Sequence, residues 1–141
     1  MYRHSSRHAF IVSQKKQQDL AAASELCAAL DAQCAGVESW AEQATQAAQA
    51  HVPWDTLDTA RAHVASLRDI CDVADSNEQV LEEMQLNLEK LRALGVVDCG
   101  AAEARLVAAR ELHESAATQA NDKYGLHNRH CLVVFVFNKM S

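Results

Sequence analysis

Residues 20–48 read LAAASELCAALDAQCAGVESWAEQATQAA, and this stretch decides the fold. Apolar residues recur along it in steps that alternate between three and four, at Leu20, Ala23, Cys27, Leu30, Cys34, Val37, Ala41, Ala44 and Ala48. Such an alternation keeps one face of an α-helix against a partner helix. Leu26 and Trp40 widen that face. The sequence therefore predicts a first helix over about residues 17–50 that packs against other helices.

A second helical segment follows the only proline. Pro53 lacks an N–H and biases Val52 away from the helical region, so the first helix is expected to end there. The next residues, WDTLD (54–58), place acids in a first helical turn. The apolar alternation continues from Leu57 to Ala74, slips within DVADSNEQ (72–79) and resumes from Leu81 to Leu91. We predict one kinked helix over 54–94, with two shorter helices as the alternative.

The stretch KLRALGVVDCGAAEARL, residues 90–106, predicts a corner between helices. Gly95 suits a helix C-cap, which favours a residue that tolerates positive φ. Asp98 suits an N-cap, because its carboxylate can accept from backbone N–H groups of the next turn. A third helix is expected over about 100–121, with Leu106, Leu112 and His113 on its inner face. Short connections make neighbouring helices antiparallel, so the predicted fold is an all-α, antiparallel three-helix bundle or coiled coil over 19–122.

The two termini differ from this predicted bundle. Residues 1–18 are basic and polar, and we expect a flexible, poorly ordered N-terminus. Asn121 and Gly125 favour an end of the third helix. The structure of 123–141 is open: its run CLVVFVF, 131–137, is β-branched and aromatic, with no strand partner in the chain. We interpret it as a poorly ordered tail and a candidate gene-model edge.

The charge is distributed unevenly along the chain. The net charge of −6 combines 13 cations with 19 acids. Residues 1–18 hold four of the cations, residues 123–141 hold three, and neither segment holds an acid. Six cations therefore face all 19 acids within 19–122, which sums to −13. Such an acidic body repels phosphate, so we expect no nucleic-acid partner and instead expect protein partners, bound through helix faces.

Cysteine usage and hydropathy indicate the compartment. The five cysteines form an odd number without a C-x-x-C pair, and no secretory apolar region occurs near the start. No apolar run reaches the length of a membrane span. We therefore expect a cytoplasmic protein with no membrane partner.

Motifs for catalysis or metal binding are sparse. HNRHC, 127–131, offers three ligands where zinc needs four, and it is interpreted as a polar loop. Glu111 and His113 lack the Glu-x-x-His spacing of di-iron bundles, so a small helical metal protein or enzyme is the weakest alternative. No phosphate-binding glycine motif occurs. The expectation is a non-enzyme without catalytic, cofactor-binding or metal-binding residues.

Two tryptophans are the largest side chains of this alanine-rich sequence. Trp40 lies on the first predicted helix and Trp54 at the start of the second. We interpret both as core anchors that fix the approach of the helices. The alternative is that they contact a protein partner.

The segment LRALGVVDCGAAEARLVAARELHESA, 91–116, resembles a recurring corner in the tail of dynein heavy chains. Leu91, Leu94, Val96 and Asp98 match that framework. Gly95 and Gly100 stand where the family has prolines, and Cys99 stands in place of its aromatic residue. The resemblance implies a tail segment of a microtubule motor. It places the protein at the cytoskeleton, with the cilium or axoneme as one such location.

Residues 20–122 also resemble a spectrin-type repeat in length, in their three heptad-patterned helices and in the position of Trp40. Both resemblances imply the same task, an elongated helical element that transmits force or positions partners. Neither implies catalysis. The sequence thus predicts a non-catalytic assembly segment of a cytoskeletal protein, with a stand-alone spectrin-like interaction module as the alternative and self-association as an open possibility.

Overall fold

The computed structural model describes the backbone of residues 2–51 and 56–140 and the side chains within 11–51 and 56–133. Three α-helices account for this part of the chain: α1 (Tyr2–Gln49), α2 (Leu57–Leu94) and α3 (Gly100–Met140). Each helix packs against both of the others. The predicted all-α, three-helix bundle is therefore confirmed.

Two helices are longer than the sequence predicted. α1 begins at Tyr2 instead of near residue 17, and α3 continues through Gly125 to Met140 instead of ending near residue 121. A single glycine inside a helix costs only about 1 kcal/mol relative to alanine. Gly125 also lacks the positive φ that ends a helix. The expected polar loop at 127–131 is consequently a part of α3.

The corner between α2 and α3 forms as its sequence predicted. Gly95 is the C-cap of α2, with φ 66° and ψ 19°, and its N–H donates to the Arg92 carbonyl at 3.1 Å. The Asp98 carboxylate accepts the N–H of Gly100 at 3.0 Å, where α3 begins. Capping of the free backbone groups thus explains why the chain turns here.

The start of α2 is capped by a threonine. Thr56 has extended backbone angles, φ −136° and ψ 154°, and its hydroxyl oxygen accepts the N–H of Thr59 at 3.1 Å. The predicted start at residue 54, including Trp54, lies outside the described residues.

Side-chain pairs fix the directions of the helices. The amide of Gln33 in α1 lies near both Glu83 and Asn87 of α2, whereas Trp40, further along α1, reaches back to Ile70. α1 and α2 are therefore antiparallel. Arg92 pairs with Glu103, Ala74 contacts His113, and His63 lies beside His127, so α2 and α3 are also antiparallel. α1 and α3 run parallel, with Glu38 beside Arg105 and Trp40 beside His113.

The core repeats every seven residues in each helix. Its regular positions are Ala23, Leu30, Val37 and Ala44 in α1, Ala60, Leu67, Ala74, Leu81 and Leu88 in α2, and Leu106, His113, Ala120 and His127 in α3. A seven-residue repeat of buried residues is the pattern of coiled-coil packing. Toward the α2–α3 corner the core is rich in Leu and includes Met84, and further along it consists of Trp40 and alanines.

The slip predicted within α2 does not divide the helix. Ala74 and Leu81 are both buried and seven residues apart, so the main series passes through it. The second series of inward-facing residues in α2 takes one step of six residues instead of seven, from Cys71 to Asn77. It is apolar again at Met84. Asn77 hid this continuity from the sequence pattern because it is polar, and its side-chain Nδ2 is buried without a hydrogen-bond partner among the described residues.

Three predicted core positions are exposed. Leu20 and Leu112 are both 44% accessible, and Cys27 is also exposed. The pairing of Gln33 with Glu83 and Asn87 places Leu94, the last residue of α2, level with about residues 22–26 of α1. Leu20 therefore lies beyond the end of α2, where none of the described helix residues covers this face of α1.

Candidate interaction surfaces

Trp40 lies where all three helices meet. Its side chain is 8% exposed, and its indole N–H donates to the carbonyl of Ile70 in α2 at 3.3 Å. Its ring lies 5.0 Å from that of His113 in α3, measured between centroids. These contacts place Trp40 in the core rather than on a partner-binding surface. Trp54, the other predicted anchor, lies outside the described residues.

His113 connects α3 to α2 from the buried side. Its Nε2 lies 3.2 Å from the Ala74 carbonyl oxygen. Because a carbonyl only accepts, Nε2 must carry the hydrogen in this contact. The residue was predicted on the inner face of α3, and it is buried there against Trp40. Its contacts are those of a structural histidine that joins two helices.

A second histidine pair lies closer to the start of α2. The rings of His63 and His127 are 5.3 Å apart between centroids. Burial lowers the pKa of both side chains, and the positive charge of Lys123 lowers both pKa values further. Nε2 of His63 is buried without a hydrogen-bond partner among the described residues. Burial and the charge of Lys123 thus favour the neutral form of both imidazoles.

The cysteines differ in their burial, and Cys27 is exposed. All five are free, and Cys34 and Cys131 are buried. Burial raises the pKa of the Cys34 thiol and, together with Asp72 and Asp75, that of Cys71. A raised pKa leaves little thiolate at neutral pH, and the thiolate is the nucleophilic form. Within the described residues, moreover, no three His, Cys, Asp or Glu side chains are arranged to hold a metal ion.

An open groove lies between α2 and α3, and we call it the acidic groove. Its volume is about 550 Å³, and it is lined by Glu78, Leu81, Glu82, Arg110, His113, Glu114, Ala117, Thr118 and Asn121. Leu81 and His113 are buried and form the floor. Three carboxylates and one guanidinium line the sides. The groove therefore combines an apolar floor with a negative rim.

A smaller groove of about 370 Å³ lies nearer the start of α2. It is lined by Arg61, Val64, Ala65, Arg68, Tyr124, Asn128, Cys131 and Leu132. Among the described residues that line this groove, two are cations and none is an acid. The surface between α2 and α3 thus changes sign along the bundle, from negative at the acidic groove to positive here.

The first part of α1 projects beyond the bundle, and we call residues 2–20 the α1 extension. Every side chain from Ile11 to Gln18 is exposed, and the first buried residue of α1 among those described is Ala23. Ile11 and Val12 are 62% and 53% accessible. The seven-residue series explains why the bundle stops here: its next earlier position is Lys16, which is charged. The α1 extension presents both cations and apolar side chains to solvent.

Sequence reasoning missed the acidic groove and the charged contacts of Arg105. Arg105 in α3 contacts both Asp31 and Glu38 of α1, and its hydrogen bond to Glu38 raises the pKa of the guanidinium. Neither arrangement can be predicted from the sequence, because both depend on the axial register between two helices. The burial of His127 did have a signal, because it continues the series from Leu106, His113 and Ala120 at seven-residue steps.

The fold and surfaces together define an elongated, antiparallel three-helix bundle with one projecting helix. Comparison of the chain with models of known families, with curated proteins and with solved structures finds no match. Among the described residues, no helix is both long and apolar enough to cross a membrane.

Proposed function

We propose that the chain is a non-catalytic helical assembly element that binds protein partners through its helix faces. The α1 extension supports this proposal best. It is a helix beyond the bundle whose described side chains up to Gln18 are exposed. Ile11 and Val12 would gain free energy on burial by a partner, at about 25 cal/mol per Å² of apolar surface.

The buried groups support a structural role for the bundle itself. Trp40 and His113 donate to main-chain carbonyls of a neighbouring helix, which stabilises helix packing. Cys34 and Cys71 have raised pKa values, which disfavour nucleophilic chemistry. Helix packing accounts for the contacts of these buried groups. We therefore propose binding rather than catalysis as the function.

Partner capture tests the proposal. The full chain, tagged at its C-terminus, would be compared with an Ile11→Glu/Val12→Glu variant in cross-linking and mass spectrometry. A Val73→Glu/Leu86→Glu variant is the matched control, since both residues are exposed on α2. We expect specific partners to be lost with the first variant and retained with the control. Identical capture by all three proteins would contradict the proposal.

We further propose that the assembly is cytoskeletal, of the kind formed by dynein heavy-chain tails. The support is the resemblance of residues 91–116, together with a helical corner that Gly95 and Asp98 cap. A spectrin-like interaction module is the alternative, favoured by the three long helices. Full-length transcript sequencing separates the two. An open reading frame that continues into an ATPase ring supports the motor, and tandem helical repeats support the spectrin-like array.

A further inference from the structure

We propose that the chain self-associates, with the α1 extension of one copy lying in the acidic groove of a second copy. The inference rests on the proposed function, binding through helix faces, and names the partner. Its first support is charge. The α1 extension contains four cations and one acid, Asp19, whereas the groove presents three carboxylates and one guanidinium. Opposite charges on two open surfaces steer their association.

Shape and polarity agree with the charges. The groove spans Arg110 to Asn121 along α3, which is about 16 Å or three helical turns. Its floor contains the apolar side chain of Leu81, and the α1 extension exposes Ile11 and Val12. Ile11 and Lys15, like Val12 and Lys16, are four residues apart and share a helix face. A helix in the groove can therefore bury Ile11 and Val12 against the apolar floor and bring Lys15 and Lys16, one turn further along, close to the carboxylates.

The groove cannot receive the extension of its own chain. His113, in the groove, is level with Trp40 of α1. Residue 20, the last of the α1 extension, is therefore about 30 Å from that level along the helix axis. α1 is continuous from Tyr2 to Gln49, so the extension points away from its own groove. Only a second copy can bring the two surfaces together.

The contact joins two different surfaces, and each chain carries one of each. Two copies that exchange their extensions reciprocally form a closed, two-fold symmetric dimer. Contacts that are not reciprocal form a ring if the rotation closes and an open chain if it does not. In either case association should depend on protein concentration and should weaken as salt screens the charges.

Sedimentation of the purified full chain tests the inference at about 0.01 M and about 1 M salt, where the Debye length falls from about 30 Å to about 3 Å. We expect concentration-dependent oligomers at low salt and at least about tenfold weaker association at high salt, because exposed ion pairs are screened. A chain that stays monomeric at low salt at all concentrations would overturn the inference. Partner capture through Ile11 and Val12 would be unaffected by that result, so the two proposals fail separately.

Charge variants locate the contact. The Glu78→Gln/Glu82→Gln/Glu114→Gln variant removes the negative rim. Its matched control, Glu25→Gln/Asp69→Asn/Glu89→Gln, removes the same charge from exposed positions that do not line the groove. We expect about tenfold weaker association for the first variant and a change within about threefold for the control. Equal effects would overturn the assignment to the groove. Unchanged circular dichroism and melting of both variants confirm that they fold.

Cross-linking identifies the paired residues directly. Isotopically light and heavy chains would be mixed and treated with a carbodiimide, which joins lysines to carboxylates without a spacer. We expect mixed light–heavy links from Lys15 or Lys16 to Glu78, Glu82 or Glu114. Oligomers that form without any of these links would overturn the proposed arrangement.

Discussion

The indole N–H of Trp40 donates to the carbonyl of Ile70 at 3.3 Å, so a side chain of α1 is bonded to the main chain of α2. The same ring stacks at a tilt of 36° against His113 of α3. One residue therefore contacts both other helices in the part of the core where the remaining side chains are mostly alanine.

We expect Trp40→Ala to lower the free energy of unfolding by about 3–5 kcal/mol, because it removes a large buried side chain and its hydrogen bond. Trp40→Phe should cost less, since it keeps most of the buried area. Denaturant-induced unfolding followed by circular dichroism measures both. Leu86→Ala, at an exposed position of α2, is the control. An alanine variant as stable as the parent would contradict the position of Trp40 in the core.

Two glycines should respond oppositely to alanine. Gly95 has φ 66°, which an L side chain adopts at a cost of about 1–2 kcal/mol, so Gly95→Ala should destabilise the protein by about that amount. Gly36 lies inside α1 with open space around its Cβ position, so Gly36→Ala should stabilise by about 0.5–1 kcal/mol. Thermal melting of the two variants provides the comparison. A Gly95→Ala variant as stable as the parent would contradict the cap, and a destabilised Gly36→Ala variant would contradict the open space at that position.

Stability should fall as the pH decreases from about 7 to about 5. Burial lowers the pKa of His63 and His127 below the value of about 6.5 that a free imidazole has, so the unfolded chain binds more protons than the folded chain in this range. Their contribution is complete above the unfolded pKa and is lost as the pH falls toward the folded pKa.

His63→Gln should reduce the slope of stability against pH, whereas His51→Gln, at an exposed position, should leave it unchanged. Unfolding free energies measured across the same pH range provide the test. Parallel curves for His63→Gln and the parent chain would show that this imidazole does not carry the effect.

Deleting residues 126–141 should destabilise the helical bundle. The deletion removes His127 and Cys131, both buried, and exposes the side chains of α2 that cover them. We expect a lower melting temperature. We also expect the helical circular dichroism to fall by more than the deleted residues themselves account for. A truncation ending at residue 133, which keeps both buried residues, is the control. Gain of solubility with unchanged melting would instead support the gene-model-edge hypothesis.

The sequence predicted the fold because the core repeats in phase with the helix. Steps of three and four identified the buried face of α1, and Gly95 with Asp98 identified the corner. It underestimated the length of α1 because the polar extension carries no core pattern. It underestimated the length of α3 because Asn121 and Gly125 favour a helix end, although a single glycine does not prevent a helix. The apparent slip in the apolar pattern of α2 arises because a polar residue, Asn77, occupies one position of a continuous buried series.

The surfaces were less predictable than the fold. Trp40 could be placed because its position follows from the periodicity of one helix. The acidic groove requires Glu78 and Glu82 of α2 to face Glu114 of α3, and that depends on the axial register between two helices. Local spacing does not encode this register, since it results from packing along the whole length of the helices.

The seven-residue spacing of buried positions makes the length of the molecule adjustable during evolution. Seven residues inserted at the same level of all three helices would lengthen the bundle by about 10 Å. The apolar face of each helix would still point toward the core. An insertion of two residues in one helix would rotate its apolar side chains by about 200° and expose them. Related chains should therefore differ in length by multiples of seven within 22–49, 57–94 and 100–131, and irregular differences should be confined to the α1 extension and the turns.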